Sequence, residues 1–369
     1  MQNTSKSSIV HNLKKPFSLL FVIATLSSTA FAFPAWPPSW LPVPVGWPSA
    51  LLPAQPPVPP LERLPRLHLD KARVSISGVS SGAFMAVQMH LAYSSVIKGV
   101  GSVAGGIWEC AKGDSARAQN VCMQSPTQIV VKEHLDLASR RASQSEIEPL
   151  SGVRDSRVYI FASQKDMIIR PGESDKLAEF YQALVPAGSI QRASHSSATH
   201  GFLTSNFGNL CSMMGTPWLL NCGYDLAGEI LTQTDPQNTA LSAPGAVDNS
   251  SLVFFDQRAL IGTGAVMHSW GAAYIPKACT GPSAHCGLHV ALHGCQMNPD
   301  FIDRQFVDHA GFNEWAETNR LVVLYPQAEK TSDNPYGCWD WFGYTGPSYT
   351  SKSGKQIQAL RALMKEIGI

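Results

Sequence analysis

The run Gly78-Val79-Ser80-Ser81-Gly82 fits the pattern G-x-S-x-G. It follows a β-rich stretch, RVSISG (73–78), and opens a small-residue helical stretch, SGAFMAVQMHLAYSS. A strand that turns sharply into a helix at such a motif lifts the central serine hydroxyl above the sheet, and the glycines relieve crowding where strand and helix nearly touch. Ser80 is therefore the candidate nucleophile. Ser81 is the rival hydroxyl, better placed to offer its backbone N–H to a developing oxyanion.

A serine hydroxyl is a weak nucleophile. It needs a base, and the base needs an orienting acid. Asp166 falls just past the C-terminal end of a second expected strand, RVYIFAS (157–163), the edge at which catalytic groups gather in an open α/β sheet. Asp155 precedes that strand and reads as a turn residue or helix cap. Two histidines follow Asp166 in loop-like sequence, His195 and His200. Spacing alone favours His200 and leaves both open. His293-Gly294-Cys295 follows the expected strand LHVAL, and a His-Gly turn there can supply a second oxyanion N–H, that of Cys295. A plain strand-ending turn is the other reading.

These residues need a scaffold. SLVFFD (251–256), AAYIP (272–276), LHVALHG (288–294) and LVVLYP (321–326) read as further strands. FVDHAGFNEWAETNR (306–320) and KQIQALRALMKEI (355–367) read as helices. In the second, Ile357, Leu360, Leu363, Met364 and Ile367 share one face. Strands alternating with helices imply a mostly parallel sheet, an α/β-hydrolase fold in one catalytic domain over 69–369. The order is unusual, because such folds normally reach the oxyanion turn before the serine. Here it comes late, so a circular permutation is expected. The helix at 355–367 should then pack beside the strand at 73–78, as permutation requires when chain ends lie close together.

The chain has 369 residues, 44% hydrophobic and 15% charged, with a net charge of +1. That composition fits a folded chain and gives no reason to expect a nucleic-acid partner. Lys6, Lys14 and Lys15, the apolar stretch Phe17 to Leu26, and Ala30-Phe31-Ala32 read as a signal peptide over 1–32, cut after Ala32. The apolar run is short for a membrane span, and none is expected elsewhere. Residues 33–68 are rich in proline and carry Trp36, Trp40 and Trp47, an extended arm or linker. The eight cysteines behind a signal imply disulfides. Sequence neighbours pair as Cys110–Cys122, Cys211–Cys222, Cys279–Cys286 and Cys295–Cys338. With no Cys-x-x-Cys spacing, no metal site is expected.

In GVSSGAFMA (78–86), SQKD (163–166), HGF (200–202), FDQ (255–257), HVALHGCQ (289–296), FNEWAETNRLVVLYPQ (312–327) and GCWDWFGY (337–344), the sequence resembles the extracellular polyhydroxybutyrate depolymerases whose oxyanion residues follow the serine motif. The resemblance implies hydrolysis of short-chain poly(3-hydroxyalkanoate) esters or their oligomers, without a cofactor, by a triad of Ser80, Asp166 and His200. It selects His200 over His195 and supports the Cys295–Cys338 bridge. It also implies that Trp339 or Trp341 meets the substrate, core packing being the other reading of each. The enzyme is expected to be a monomer, released outside the cell or into the periplasm. Many such enzymes carry a further substrate-binding domain. This sequence ends on its helix, which points to amorphous granules or soluble oligomers, or to the tryptophan-bearing arm as a substitute. Feruloyl or acetyl-xylan esterases on the same scaffold, a peptidase, and a non-enzymatic polymer-binding protein are the competing functions.

Overall fold

A computed structural model describes residues 57–237 and 240–369. The expected signal peptide and Trp36, Trp40 and Trp47 lie outside the described residues. Among the described residues eleven strands run in chain order: β1 (Leu69–Val79), β2 (Gly99–Val103), β3 (Arg157–Ser163), β4 (Ile190–His195), β5 (Phe202–Thr204), β6 (Asn209–Leu210), β7 (Leu219–Asn221), β8 (Leu252–Asp256), β9 (Trp270–Tyr274), β10 (Cys286–Leu292) and β11 (Leu321–Tyr325). Interleaved are the helices α1 (Ser81–Ala92), α2 (Ser115–Arg117), α3 (Val131–Ser143), α4 (Pro171–Gln182), α5 (Leu226–Thr234), α6 (Pro299–Ile302), α7 (Gln305–His309), α8 (Phe312–Thr318) and α9 (Lys355–Ile367).

Eight strands form one sheet in the order β4-β3-β2-β1-β10-β11-β9-β8. The β4 to β11 stretch is parallel, and β9 and β8 run antiparallel to their neighbours. β5, β7 and β6 make a small second sheet. Among the described residues the serine-bearing strand β1 thus comes first, and it lies centrally in the sheet, beside β10. Gly78 pairs with Leu292, which sets the serine turn and the His293 turn side by side. Buried His289 clamps this seam: its two ring nitrogens each meet a β1 hydroxyl, Ser75 and Ser77, at 2.8 Å.

Helix α9, expected beside the strand at 73–78, packs on α1 and on the residues that precede β1. Leu67 N–H donates to the Ile367 carbonyl at 2.9 Å, so the end of α9 closes on the residues that lead into β1. The described end of the proline-rich arm lies along the domain, with Leu64 buried and Glu62 bridged to Phe255 on β8.

One expected element differs. The single helix over 306–320 is two, α7 and α8, separated at Gly311, whose φ of 93° is left-handed and cannot continue a right-handed helix.

The four disulfides join Cys110–Cys122, Cys211–Cys222, Cys279–Cys286 and Cys295–Cys338.

Candidate active site

Ser80 sits at φ 56° and ψ −121°, a backbone conformation that non-glycine residues rarely adopt. Its N–H donates to Val103 O on β2 at 2.9 Å, which holds the turn to the sheet. Both motif glycines are demanded by close approach. A Cβ on Gly78 would lie 2.3 Å from the Gly82 backbone, and a Cβ on Gly82 would lie 2.3 Å from the His293 carbonyl oxygen. A Cβ on Gly294 would come within 3.3 Å of the Ser80 Cβ. The serine turn and the His293 turn are therefore in direct contact, although the chain separates them widely.

Asp166 and His200 are both buried and paired, His200 Nδ1 lying 2.7 Å from Asp166 Oδ2. A carboxylate oxygen accepts, so Nδ1 carries the proton and Nε2 is left with its lone pair. The other Asp166 oxygen accepts from the Ile168 and Ile169 N–H groups, each at 2.8 Å, which fixes the carboxylate plane. On the far side, His200 meets Trp218 edge-on at 5.8 Å between ring centroids. Gly201 passes close under the Trp218 carbonyl, where a Cβ would lie 2.6 Å away. Trp218 in turn donates through Nε1 to Gln296, just past the His293 turn, at 3.1 Å. Trp218 carries no sequence signal for this role, because its partners are far away in the chain.

His195 is used differently. Its Nδ1 accepts the Ala198 N–H at 3.1 Å and so caps the loop that carries His200, while its ring packs edge-on against Tyr224. Asp155 is exposed at the opposite end of β3. His195 also groups with Cys211 and Cys222, but those sulfurs are joined in a disulfide and offer no thiolate to a metal.

Two backbone N–H groups at these turns, those of Ser81 and Cys295, bear on the expected oxyanion site. Ser81 begins α1, and the first N–H groups of a helix have no intrahelical acceptor. Among the described residues, the Cys295 N–H makes no backbone hydrogen bond. The Ser81 hydroxyl is already engaged, accepting the Trp339 N–H at 3.2 Å. This contact and the Cys295–Cys338 disulfide tie the Trp-bearing loop to both turns.

That loop holds both of its tryptophans in packed settings. Trp339 is fully buried and packs on His293, with ring centroids 5.3 Å apart, the core-packing setting. Trp341 is nearly enclosed and stacks on Phe84 at 4.3 Å. Between them, the Asp340 carboxylate gathers the N–H groups of Gly343, Tyr344 and Thr345 and so shapes the loop. Burial is the larger influence and pushes the Asp340 carboxyl above its ordinary range, against these hydrogen bonds.

A mostly parallel sheet with a serine elbow, a buried Asp–His pair and an adjoining turn at one edge defines an α/β-hydrolase-type fold. No family model matches the chain. It is 38% identical over 310 residues to a poly(3-hydroxybutyrate) depolymerase of Delftia acidovorans, covering 82% of this chain and 61% of that protein. It is 30% identical over 319 residues to a polyhydroxybutyrate depolymerase of Talaromyces funiculosus, covering 82% and 92%. Two solved structures superpose at 29% identity, each covering 83% of this chain and 98% of the other. A PHB depolymerase from Penicillium funiculosum gives a TM-score of 0.76, and a serine-to-alanine PHB depolymerase complexed with an R3HB trimer gives 0.75. The chain belongs to the polyhydroxybutyrate depolymerase family.

Proposed function

We propose that this chain is a secreted serine esterase that cleaves short-chain poly(3-hydroxyalkanoate), such as poly(3-hydroxybutyrate) or its oligomers. The observation that carries the reading is the buried His200–Asp166 pair at the same sheet edge as the strained Ser80 turn, with Gly294 packed against Ser80. The names of the relatives and the R3HB trimer bound to a similar structure support the substrate class.

In this mechanism Asp166 holds His200 with its proton on Nδ1. His200 Nε2 takes the Ser80 proton as Ser80 Oγ attacks the ester carbonyl. The carbonyl oxygen becomes an oxyanion and receives the Ser81 and Cys295 N–H groups. His200 returns the proton to the departing alcohol, leaving a 3-hydroxyacyl ester on Ser80. Water, deprotonated by His200, then releases the acid and restores the serine. Trp341 contributes at most an edge to the substrate cleft, and Trp339 acts through the turn behind it.

The expected signal peptide and the four disulfides support export into an oxidising compartment. Residues 69–369 are the catalytic domain in this reading, with 33–68 as an arm. The decisive test incubates purified wild-type and Ser80→Ala protein with an amorphous poly(3-hydroxybutyrate) suspension. Clearing and 3-hydroxybutyrate products are expected from wild type alone, with fluorophosphonate labelling at Ser80. Clearing by Ser80→Ala overturns the proposal.

A further inference from the structure

We infer that His293 is a positioning residue for the oxyanion site, acting through the carbonyl of the very peptide whose N–H binds the oxyanion. The inference rests on the serine esterase reading above and assigns a role to a residue outside its triad and its donor pair.

His293 is fully buried, and both ring nitrogens are engaged. Nε2 lies 3.0 Å from the Ala328 N–H, and Nδ1 lies 2.7 Å from the Gly294 carbonyl oxygen. The partners dictate the tautomer. A backbone N–H can only donate, so Nε2 is the acceptor. A carbonyl can only accept, so Nδ1 carries the hydrogen. Burial supports this neutral form by lowering the ring pKa to about 4.

The Gly294 carbonyl and the Cys295 N–H belong to one peptide unit. In a planar trans peptide they point in opposite directions. By holding the carbonyl inward, His293 aims the Cys295 N–H away from the buried ring and out of the turn. The Met297 N–H, 3.3 Å from the same carbonyl, reinforces this orientation. Trp339 and Phe306 pack around the ring and keep it from turning. Without the Nδ1 donor, this peptide can rotate and the oxyanion loses an aligned N–H. The attacking serine, its base and the rest of the cleft remain in place.

The test compares His293→Asn, His293→Gln and His293→Phe on a soluble 3-hydroxybutyrate ester, beside Ser80→Ala. The Asn amide can occupy the Nδ1 position and donate to Gly294. Gln reaches toward the Nε2 position instead, and Phe offers neither group. Expected is a kcat for His293→Asn within about tenfold of wild type. The Gln and Phe variants should lose on the order of 100-fold in kcat, as for removal of one oxyanion donor, with KM little changed. Affinity for a boronate transition-state analogue should fall in parallel. Equal losses for Asn and Gln, or losses in thermal stability alone, overturn the inference. Nitrogen-15 NMR of histidine-labelled wild type gives a second check that needs no variant. Protonation at Nδ1 with an unprotonated Nε2 is expected at neutral pH, and an Nε2–H tautomer overturns the assignment. Activity in Ser80→Ala would instead defeat the underlying esterase reading, whatever the His293 variants do.

Discussion

Asp166 meets His200 through one carboxylate oxygen, 2.7 Å from Nδ1, while the other oxygen is held by two backbone N–H groups. The acid is thus fixed from both sides and cannot swing away from the imidazole. Replacing it with Asn keeps the shape and removes the acceptor that selects the Nδ1–H tautomer. Asp166→Asn is expected to lower kcat by about 10⁴-fold with little change in KM, the scale found when a triad carboxylate becomes an amide. Steady-state kinetics on a soluble ester checks this. A loss under tenfold would remove Asp166 from the triad.

His195, which ends β4, and His200, in the segment that follows, do different things. His200 faces Asp166, whereas His195 accepts the Ala198 N–H and caps the segment. His200→Ala is expected to abolish turnover to within a small residue of the wild-type rate. His195→Ala should keep kcat within about tenfold and lose about 1 kcal/mol of stability, the net value of one ordinary hydrogen bond. Parallel kinetics and denaturant melts of the two variants separate the roles, and the opposite pattern would exchange the assignments.

The chemistry was legible because it is written in short contiguous segments. The glycines flanking Ser80 announce a tight turn, and His293-Gly294 follows a strand. Their order along the chain is what led to the expectation of a permutation, and the Leu67–Ile367 contact fits it. Other features depend on partners remote in sequence. Strand β2, GVGSV, shows no alternation of apolar and polar residues. Gly99 is there because a Cβ would lie 1.9 Å from the Thr234 carbonyl at the end of α5, and Gly101 because a Cβ would lie 2.8 Å from that of Ser77. Strand β4, IQRASH, is a polar edge strand without a hydrophobic period. Nothing around Trp339 in the sequence separates a ring in a cleft from one wedged behind a turn. Only its packing on His293 does so.

The Cys295–Cys338 bridge joins the His293-Gly294-Cys295 turn, proposed to supply an oxyanion N–H, to the Trp339 loop, whereas Cys279–Cys286 closes a short loop at the start of β10. Loss of either bridge should lower stability, by about 2–4 kcal/mol for a typical disulfide. Only the first should also lower kcat. Cys338→Ser and the double variant Cys279→Ser/Cys286→Ser, compared in melts and kinetics, are expected to differ in this way. Equal turnover in both would show that the bridge contributes nothing to the site.

Glu173, on the first turn of α4, is fully buried, and neither of its carboxylate oxygens has a hydrogen-bond partner among the described residues. Burial pushes its pKa from 4.5 up to about 9. Between these values the folded protein holds a proton that the unfolded chain releases. Stability therefore falls as pH rises: the contribution is fully present below 4.5 and is lost as pH climbs through about 9. Glu173→Gln keeps the shape without the ionisation. It should match wild type in acid and become progressively more stable than wild type as pH rises toward 9. Melting temperatures of both proteins across that range provide the check. A difference independent of pH would mean that the carboxyl ionises at its ordinary pH in the folded protein.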